Sequence, residues 1–144
     1  MSAVRSTKGS FMLQQQLNGL CAAGLAHVGD AVYELYIRTR LAKSGLLTAR
    51  NLHSATVKLV RASAQAAAAR TLERELSEPE RAVFRRGRNT EHHHTPQAST
   101  PAEYALATGL EALLGWLYLS GETDRVDAVC ARCWDILHKE EARQ

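Results

Sequence analysis

The sequence contains few residues that interrupt helices, and it lacks any stretch that alternates apolar and polar residues over the length of a strand. Only three prolines and nine glycines occur in 144 residues, whereas alanine is abundant. Alanine has the highest helix propensity and proline the lowest, so this composition favours an all-α fold. A chain of this length is sufficient for one domain with its own core, which we expect to span residues 1–144.

Cysteines and long apolar segments are also scarce. The three cysteines form no paired CxxC motifs, so neither a zinc site nor a disulfide framework is indicated, and a reducing cytoplasm is the simplest setting. Cys130 and Cys133 are expected to be small core residues. No apolar run has the length of a signal peptide or of a membrane span, so neither export nor membrane insertion is expected.

Residues 20–40, with the sequence LCAAGLAHVGDAVYELYIRTR, show helical periodicity on two sides. The first apolar stripe consists of Cys21, Leu25, Val28, Val32 and Leu35. The second consists of Ala23, Ala26, Tyr33 and Ile37. Because both sides are apolar, we expect this helix to be enclosed on most of its circumference, with Asp30 inside the protein.

A carboxylate buried at Asp30 loses its hydration, which costs several kcal/mol unless a cation or hydrogen bonds replace the water. Either an arginine or a helix N-terminus neutralises it, or it binds a metal ion. Glu34 lies one helical turn further on the same face. It is either a supporting residue of such a site or an exposed partner of a base such as Arg38.

The middle of the chain contains two further helical patterns. Residues 52–76 keep an apolar and small-residue period of the helical type, so we predict a continuous helix there. The spacing from Ser77 to Glu80 is that of a capping box, and it predicts a short helix that ends near Gly87.

The clearest helix start is the sequence TPAE at residues 100–103. It supplies a capping threonine, a proline at the first helical position and a capping glutamate at the third. Residues 104–119, YALATGLEALLGWLYL, are apolar apart from Thr108 and Glu111. This stretch is too short and too polar for a membrane span, so it predicts a second core helix. Glu111 is therefore a second carboxylate that is expected to be buried and to need a cation or hydrogen bonds in place of water.

The two ends of the chain are more polar. We expect residues 1–12 to form a flexible arm that Phe11 and Met12 attach to the body. A final helix is predicted from Thr123 or Asp124, and residues 138–144 form a polar tail that is expected to fray.

Basic residues are concentrated between residues 81 and 101, in the sequence RAVFRRGRNTEHHHTPQASTP. The candidate binding residues are Arg85, Arg86, Arg88 and Asn89. Arginine forks match phosphate oxygens two at a time, so this basic loop is predicted to bind a phosphate backbone. The alternative is a solvated basic loop. His92, His93 and His94 follow, but adjacent loop residues lack the spacing of a defined metal site.

Asp30 and Glu111 would leave two uncompensated charges in one small core. A shared divalent cation solves both problems, and a site with only oxygen ligands suits Mg²⁺ or Mn²⁺. Beside an arginine-rich loop, such an ion would polarise a phosphoryl oxygen and generate hydroxide. Those are the requirements of phosphodiester hydrolysis.

Four motifs in this order resemble the mini-ribonuclease III family across residues 20–122. They read LAHVGDAVYELYIR, LHSATVKLVRASAQA, FRRGRN and YALATGLEALLGWLYLSG. The wider similarity is to the catalytic domain of ribonuclease III. Its GDAV segment matches residues 29–32, and its segment of glutamate, alanine, two hydrophobic residues and glycine matches residues 111–115.

The resemblance implies an all-helical homodimer that cuts double-stranded RNA with Mg²⁺, for which Mn²⁺ can substitute. It implies that Asp30 is the catalytic aspartate and Glu111 the metal-binding glutamate, with the arginine loop holding the duplex in place of a separate RNA-binding domain. The expected substrate is the precursor of large-subunit (23S) ribosomal RNA.

The sequence departs from full-length ribonuclease III at several acidic positions. Ala23 and Ala26 stand where that enzyme has further acidic residues, and Thr108 stands where it has an aspartate. The site thus has fewer acidic residues than that of full-length ribonuclease III. Glu34 and Thr108 are possible supporting residues around the two carboxylates. Two rival hypotheses are a non-catalytic module that binds double-stranded RNA and a helical interaction protein without a nucleic-acid partner.

Overall fold

The computed structural model describes residue 12 and residues 14–90 and 99–143. The helices are α1 (Gln14–Gly19), α2 (Ala22–Lys43), α3 (Ala49–Val60), α4 (Ala62–Leu72), α5 (Glu78–Arg88), α6 (Pro101–Leu119) and α7 (Thr123–Arg143), with a 3₁₀ turn at Glu73–Glu75. The described residues contain no strand. The prediction of an all-α fold is confirmed.

Helix α6 lies at the centre of the protein and packs against α2, α4, α5 and α7. Its sequence is apolar around the whole circumference, which is typical of a helix that is buried on all sides. The predicted capping box is present: the Thr100 hydroxyl accepts a hydrogen bond from Glu103 N at 3.1 Å, and the Glu103 carboxylate accepts one from Thr100 N at 3.0 Å. Cys130 and Cys133 of α7 are buried in the same core, as predicted.

Helices α2 and α6 cross with their backbones in direct contact. A Cβ atom at Gly29 would overlap the carbonyl oxygen of Glu111 and stand 2.8 Å from the backbone nitrogen of Gly115. A Cβ atom at Gly115 would overlap the carbonyl oxygen of Leu25. Only glycine allows such a close approach. The crossing therefore fixes the position of Asp30, the residue after Gly29, relative to Glu111.

The prediction of one helix over residues 52–76 is wrong, because the chain breaks at Arg61. The ψ angle of Arg61 is 154°, so α3 ends and α4 begins on either side of an extended residue. The last carbonyl groups of α3 are bound from other elements: Tyr33 Oη donates to Leu59 O at 3.3 Å, and Gln65 Nε2 donates to Val60 O at 2.8 Å. These tertiary bonds replace those that a continuous helix would have made.

Helix α5 begins as predicted, with a capping box between Ser77 and Glu80. It ends at Arg88, one residue beyond the predicted Gly87. Arg85, Arg86 and Arg88 therefore occupy the last turn of a helix and not a loop, which corrects the prediction of a basic loop. Cations at this end of a helix interact favourably with its dipole.

Helix α2 is only partly enclosed, which corrects the expectation of an almost fully covered helix. On the second apolar side, Tyr33 and Ile37 have no exposed surface, whereas Ala23 is exposed. On the first side, Leu25 is buried but Leu35 is 68% exposed in the single chain. One isolated chain of this size does not supply enough neighbouring helices to cover both sides.

At the ends of the chain, Met12 N donates a hydrogen bond to Leu119 O, and Met12 packs against the core, in the manner expected of the attachment point. Residues 1–11, the remainder of the predicted arm, lie outside the described residues. Helix α7 continues to Arg143, so residues 138–143 of the predicted tail are helical and exposed. Among the described residues, no helix combines the length and the apolarity that crossing a membrane requires.

Candidate active site

Asp30 and Glu111 come together where α2 crosses α6. Their carboxyl groups lie close enough that Asp30 adds to the rise in the Glu111 pKa that burial causes. Asp30 is exposed and Glu111 is partly buried. The expectation that Asp30 lies inside the protein is therefore wrong: α2 is open on this side, and the pair faces the surface through the aspartate. The open face matters because a site that acts on a polymer must be accessible.

Burial raises the pKa of the Glu111 carboxyl to about 9, and the proximity and negative charge of Asp30 act in the same direction. At neutral pH the Glu111 carboxyl therefore retains its proton in the absence of a cation. A divalent cation between the two carboxyl groups would replace that proton and remove the repulsion. The donor set fits such an ion, because Mg²⁺ is usually held by one or two carboxylates and keeps water for the remaining positions.

Neither carboxylate is neutralised by a base in the part of the chain that the structure describes. The ion pairs found there do not include Asp30 or Glu111. The alternative of a structural arginine partner thus has no support among these residues. The same residues contain no group of three or more histidine, cysteine, aspartate or glutamate side chains that could hold a metal ion. The candidate site therefore consists of the two carboxylates of Asp30 and Glu111 in the part of the chain described.

Gln65 is part of this site, and the sequence analysis missed it. Its side chain is 3% exposed, and its amide lies close enough to Glu111 to oppose the rise in the Glu111 pKa. One signal in the sequence was available. Gln65 is the single amide side chain within the run ASAQAAAA of α4, where a buried polar group requires a specific partner.

The two candidate supporting residues have other partners. Arg38 Nε donates to the Glu34 carboxylate at 3.0 Å, so Glu34 has the exposed basic partner that was the alternative for this residue. The Thr108 hydroxyl donates to Tyr104 O of its own helix at 2.9 Å, and Thr108 is buried. Both residues lie one turn from the carboxylate pair, Glu34 on α2 and Thr108 on α6.

The arginine turn at the end of α5 lies against the segment of α6 that carries Glu111. A Cβ atom at Gly87 would stand 2.7 Å from Cβ of Ala112 and 2.9 Å from the carbonyl oxygen of Thr108. The glycine allows the last turn of α5 to approach α6 on both sides of Glu111 in the sequence. A phosphate backbone bound by this turn would therefore run close to the carboxylate pair.

The four candidate RNA-binding residues differ in their partners. Arg88 Nη1 lies 3.2 Å from Glu73 Oε1, and Arg85 Nε lies 3.8 Å from the same oxygen. Arg86 is exposed and forms no ion pair with the residues described. Asn89 caps the helix and accepts a hydrogen bond from Arg88. His92, His93 and His94 lie outside the described residues.

A mostly apolar groove runs along the open face of α2 and continues onto the start of α7. Its apolar floor includes Val28, Ala31, Val32, Leu35 and Val126. The residues that line the groove do not include Asp30 or Glu111. Exposed apolar surface of this kind is typical of a protein–protein contact.

Comparison with known proteins gives a consistent result. The family model described as "Ribonuclease III domain" matches residues 23–122. The chain is 43% identical over 115 residues to the mini-ribonuclease 3 of Symbiobacterium thermophilum, covering 80% of this chain and 88% of that protein. It is 47% identical over 102 residues to the mini-ribonuclease 3 of a Thermoanaerobacter species, covering 71% and 72% respectively. A crystal structure of a protein from Fusobacterium nucleatum is similar with a TM-score of 0.73 and 27% identity, covering 85% of this chain and 95% of that one.

Proposed function

The chain belongs to the ribonuclease III domain family and is an endoribonuclease, and from this premise we propose that it cleaves double-stranded RNA with Mg²⁺ at Asp30 and Glu111. The observation that carries the proposal is the contact of these two carboxyl groups at an open face, beside a turn of arginines. Membership of the family also removes the hypothesis of a non-catalytic module.

Asp30 and Glu111 would hold the divalent cation, for which Mn²⁺ can substitute, and the chemistry it would supply is polarisation of the scissile phosphate and a lower pKa for a water that attacks it. The exposed Asp30 is the carboxylate nearest to the incoming RNA. Glu111 is partly buried in α6, and it would hold the cation in its ionised form, with its proton passed to solvent.

The arginine turn would hold the RNA duplex by its backbone. Double-stranded RNA is recognised mainly by shape and by contacts to phosphate and 2′-hydroxyl groups, because its deep groove is too narrow for side chains. Arg86 is available for such contacts, whereas Arg85 and Arg88 pair with Glu73 in the absence of RNA. Asn89 caps the end of α5, where the phosphate backbone of the RNA would pass.

A homodimer would place one carboxylate pair against each strand of the duplex. The partner we propose for the groove along α2 is a second copy of the chain, because the groove is lined mainly by apolar residues of α2 and leaves Leu35 68% exposed. Sedimentation should give a dimer, and Leu35→Glu should shift it to a monomer. Leu47→Glu is the control, since Leu47 is 91% exposed outside the groove and its replacement should leave the dimer intact.

The substrate we propose is the precursor of large-subunit (23S) ribosomal RNA, cut near its ends in the cytoplasm. This assignment rests on the resemblance to the mini-ribonuclease III family. The free thiols of Cys130 and Cys133 are compatible with a reducing compartment. Cells depleted of the protein should accumulate precursor with unprocessed ends, and normal ends in such cells would reject the assignment.

A cleavage assay with purified protein tests the mechanism. Double-stranded RNA should be cut with Mg²⁺ and left intact with EDTA. Asp30→Asn should abolish cleavage while leaving duplex binding nearly unchanged, because the arginine turn is not altered. Asp135→Asn is the matched control, an exposed aspartate on α7, and it should cut like the parent. If Asp30→Asn cuts as fast as the parent, the proposed mechanism is wrong.

A further inference from the structure

Gln65 occupies an unusual position between a helix break and the carboxylate pair. Its Nε2 atom carries two hydrogens, and it donates one to Val60 O at 2.8 Å. This carbonyl is at the end of α3, where the chain breaks before α4. The bond fixes which side of the amide carries the nitrogen, and therefore also where the amide oxygen lies.

The same amide contacts Glu111, so Gln65 connects the α3–α4 break with the metal-binding glutamate. The end of α3 is also held by a second side chain. Tyr33, which has no exposed surface, donates to Leu59 O, the carbonyl before that of Val60. Two side chains from different helices thus hold the end of α3 beside the site.

The Oε1 atom of Gln65 is buried and has no hydrogen-bond partner among the residues described. A buried carbonyl oxygen without a donor is destabilising, and such groups in native proteins often mark a water or ion that belongs to the site. The donor that this site would bring is water, because Mg²⁺ retains several waters when it is held by few carboxylates.

We propose that Gln65 is a positioning residue for the divalent cation: its amide, anchored on Val60 O, orients the Glu111 carboxylate, and its free Oε1 accepts a hydrogen bond from the water that accompanies the cation. This inference rests on the proposed function, since it assigns Gln65 to the same cation. Partners that orient metal ligands typically contribute 10–100-fold to metal affinity or activity.

The test uses Gln65→Met, which keeps the length of the side chain and removes the amide. We expect a rise of about tenfold or more in the Mg²⁺ concentration that gives half-maximal cleavage of double-stranded RNA. The second readout needs no RNA: the increase in melting temperature on addition of Mg²⁺ or Mn²⁺ should be smaller than in the parent. Saturating Mg²⁺ should restore much of the cleavage rate.

Thr56→Val is the matched control. Thr56 is a buried polar residue of α3 whose hydroxyl donates to Leu52 O at 2.7 Å within its own helix. This variant should retain the cation dependence of the parent, even if its melting temperature changes. Should Gln65→Met fail to fold, Gln65→Ala is the second variant, because alanine is the predominant residue of α4 and suits a helix.

The outcomes separate the two proposals. If the parent cuts with Mg²⁺ and a folded Gln65 variant shows the same half-saturation and the same cation-induced shift, the role of Gln65 is refuted and the function stands. If the parent itself shows neither cation-dependent cleavage nor a cation-induced shift, the proposed function fails, and the role of Gln65 fails with it.

Discussion

The backbone of Gly29 lies against the backbone of Glu111, without room for a methyl group between them. This contact sets the distance between α2 and α6 and therefore brings the side chain of Asp30 to that of Glu111. The geometry of the candidate active site thus depends on a residue that has no side chain and performs no chemistry.

Gly29→Ala should destabilise the protein by several kcal/mol and abolish cleavage, because the new Cβ atom would overlap the Glu111 carbonyl oxygen and separate the helices. Chemical denaturation and the cleavage assay measure the two effects. Gly19→Ala is the control, since a Cβ atom there meets nothing within 4 Å and Gly19 does not have a positive φ. A variant at Gly29 with the stability of the parent would contradict the close crossing.

Glu111→Gln should make the cation-free protein less sensitive to alkaline pH. The folded carboxyl has a pKa of about 9 against an ordinary value of 4.5, so the folded state binds the proton more tightly than the unfolded state. The resulting stability is present in full below pH 4.5 and is lost as the pH rises towards 9, by up to about 1.4 kcal/mol per pH unit. Glutamine stays neutral and avoids this loss.

Melting temperatures in EDTA at pH 5 and pH 8 measure this difference. The variant should be close to the parent at pH 5 and more stable than the parent at pH 8. Adding Mg²⁺ at pH 8 should stabilise the parent and have little effect on the variant. If the melting temperatures of the parent and the variant change equally between pH 5 and pH 8, Glu111 does not carry the extra proton.

Glu73→Gln should strengthen the binding of double-stranded RNA by a few-fold. Glu73 pairs with Arg88 and lies near Arg85, so its removal frees the guanidinium groups of both arginines for phosphate contacts. Each new contact should steepen the dependence of log affinity on log salt by roughly one unit. Glu75→Gln is the control from the same 3₁₀ turn, because Glu75 binds Arg132 of α7. Weaker binding by Glu73→Gln would mean that Glu73 positions the arginines for RNA.

Glu80→Ala should lower the free energy of unfolding by about 2 kcal/mol. Glu80 is buried, completes the capping box of α5 and accepts two hydrogen bonds from Arg125 of α7, at 2.6 and 3.0 Å. The Arg125 guanidinium holds the pKa of the Glu80 carboxyl below its ordinary value, so its contribution is present at neutral pH and is lost as the pH falls through the lowered pKa.

Denaturant titrations at pH 7 and pH 3 check the effect of Glu80→Ala. The matched variant is Glu78→Ala, also in the first turn of α5, whose carboxylate is exposed and pairs only with Arg81 in the described residues. It should cost well under 1 kcal/mol, in line with other surface pairs. Equal losses for the two variants would mean that the contact with Arg125 adds nothing to stability.

The sequence by itself determined the features that depend on neighbouring residues. The capping boxes at Ser77 and Thr100 place helix starts through contacts three residues apart, and the apolar circumference of α6 predicts a central helix. The same local reading selected Asp30 and Glu111 as two acids in apolar helices that required a common partner.

Only the tertiary structure decided the features that depend on contacts distant in sequence. The break at Arg61 requires donors from Tyr33 and Gln65, and the exposure of Asp30 depends on which side of α2 the other helices cover. Periodicity shows that a helix has apolar sides, but it does not show how many neighbours a chain of 144 residues has available to bury them. Asp30, Glu111 and Gln65 come together only because the three helices that carry them meet there.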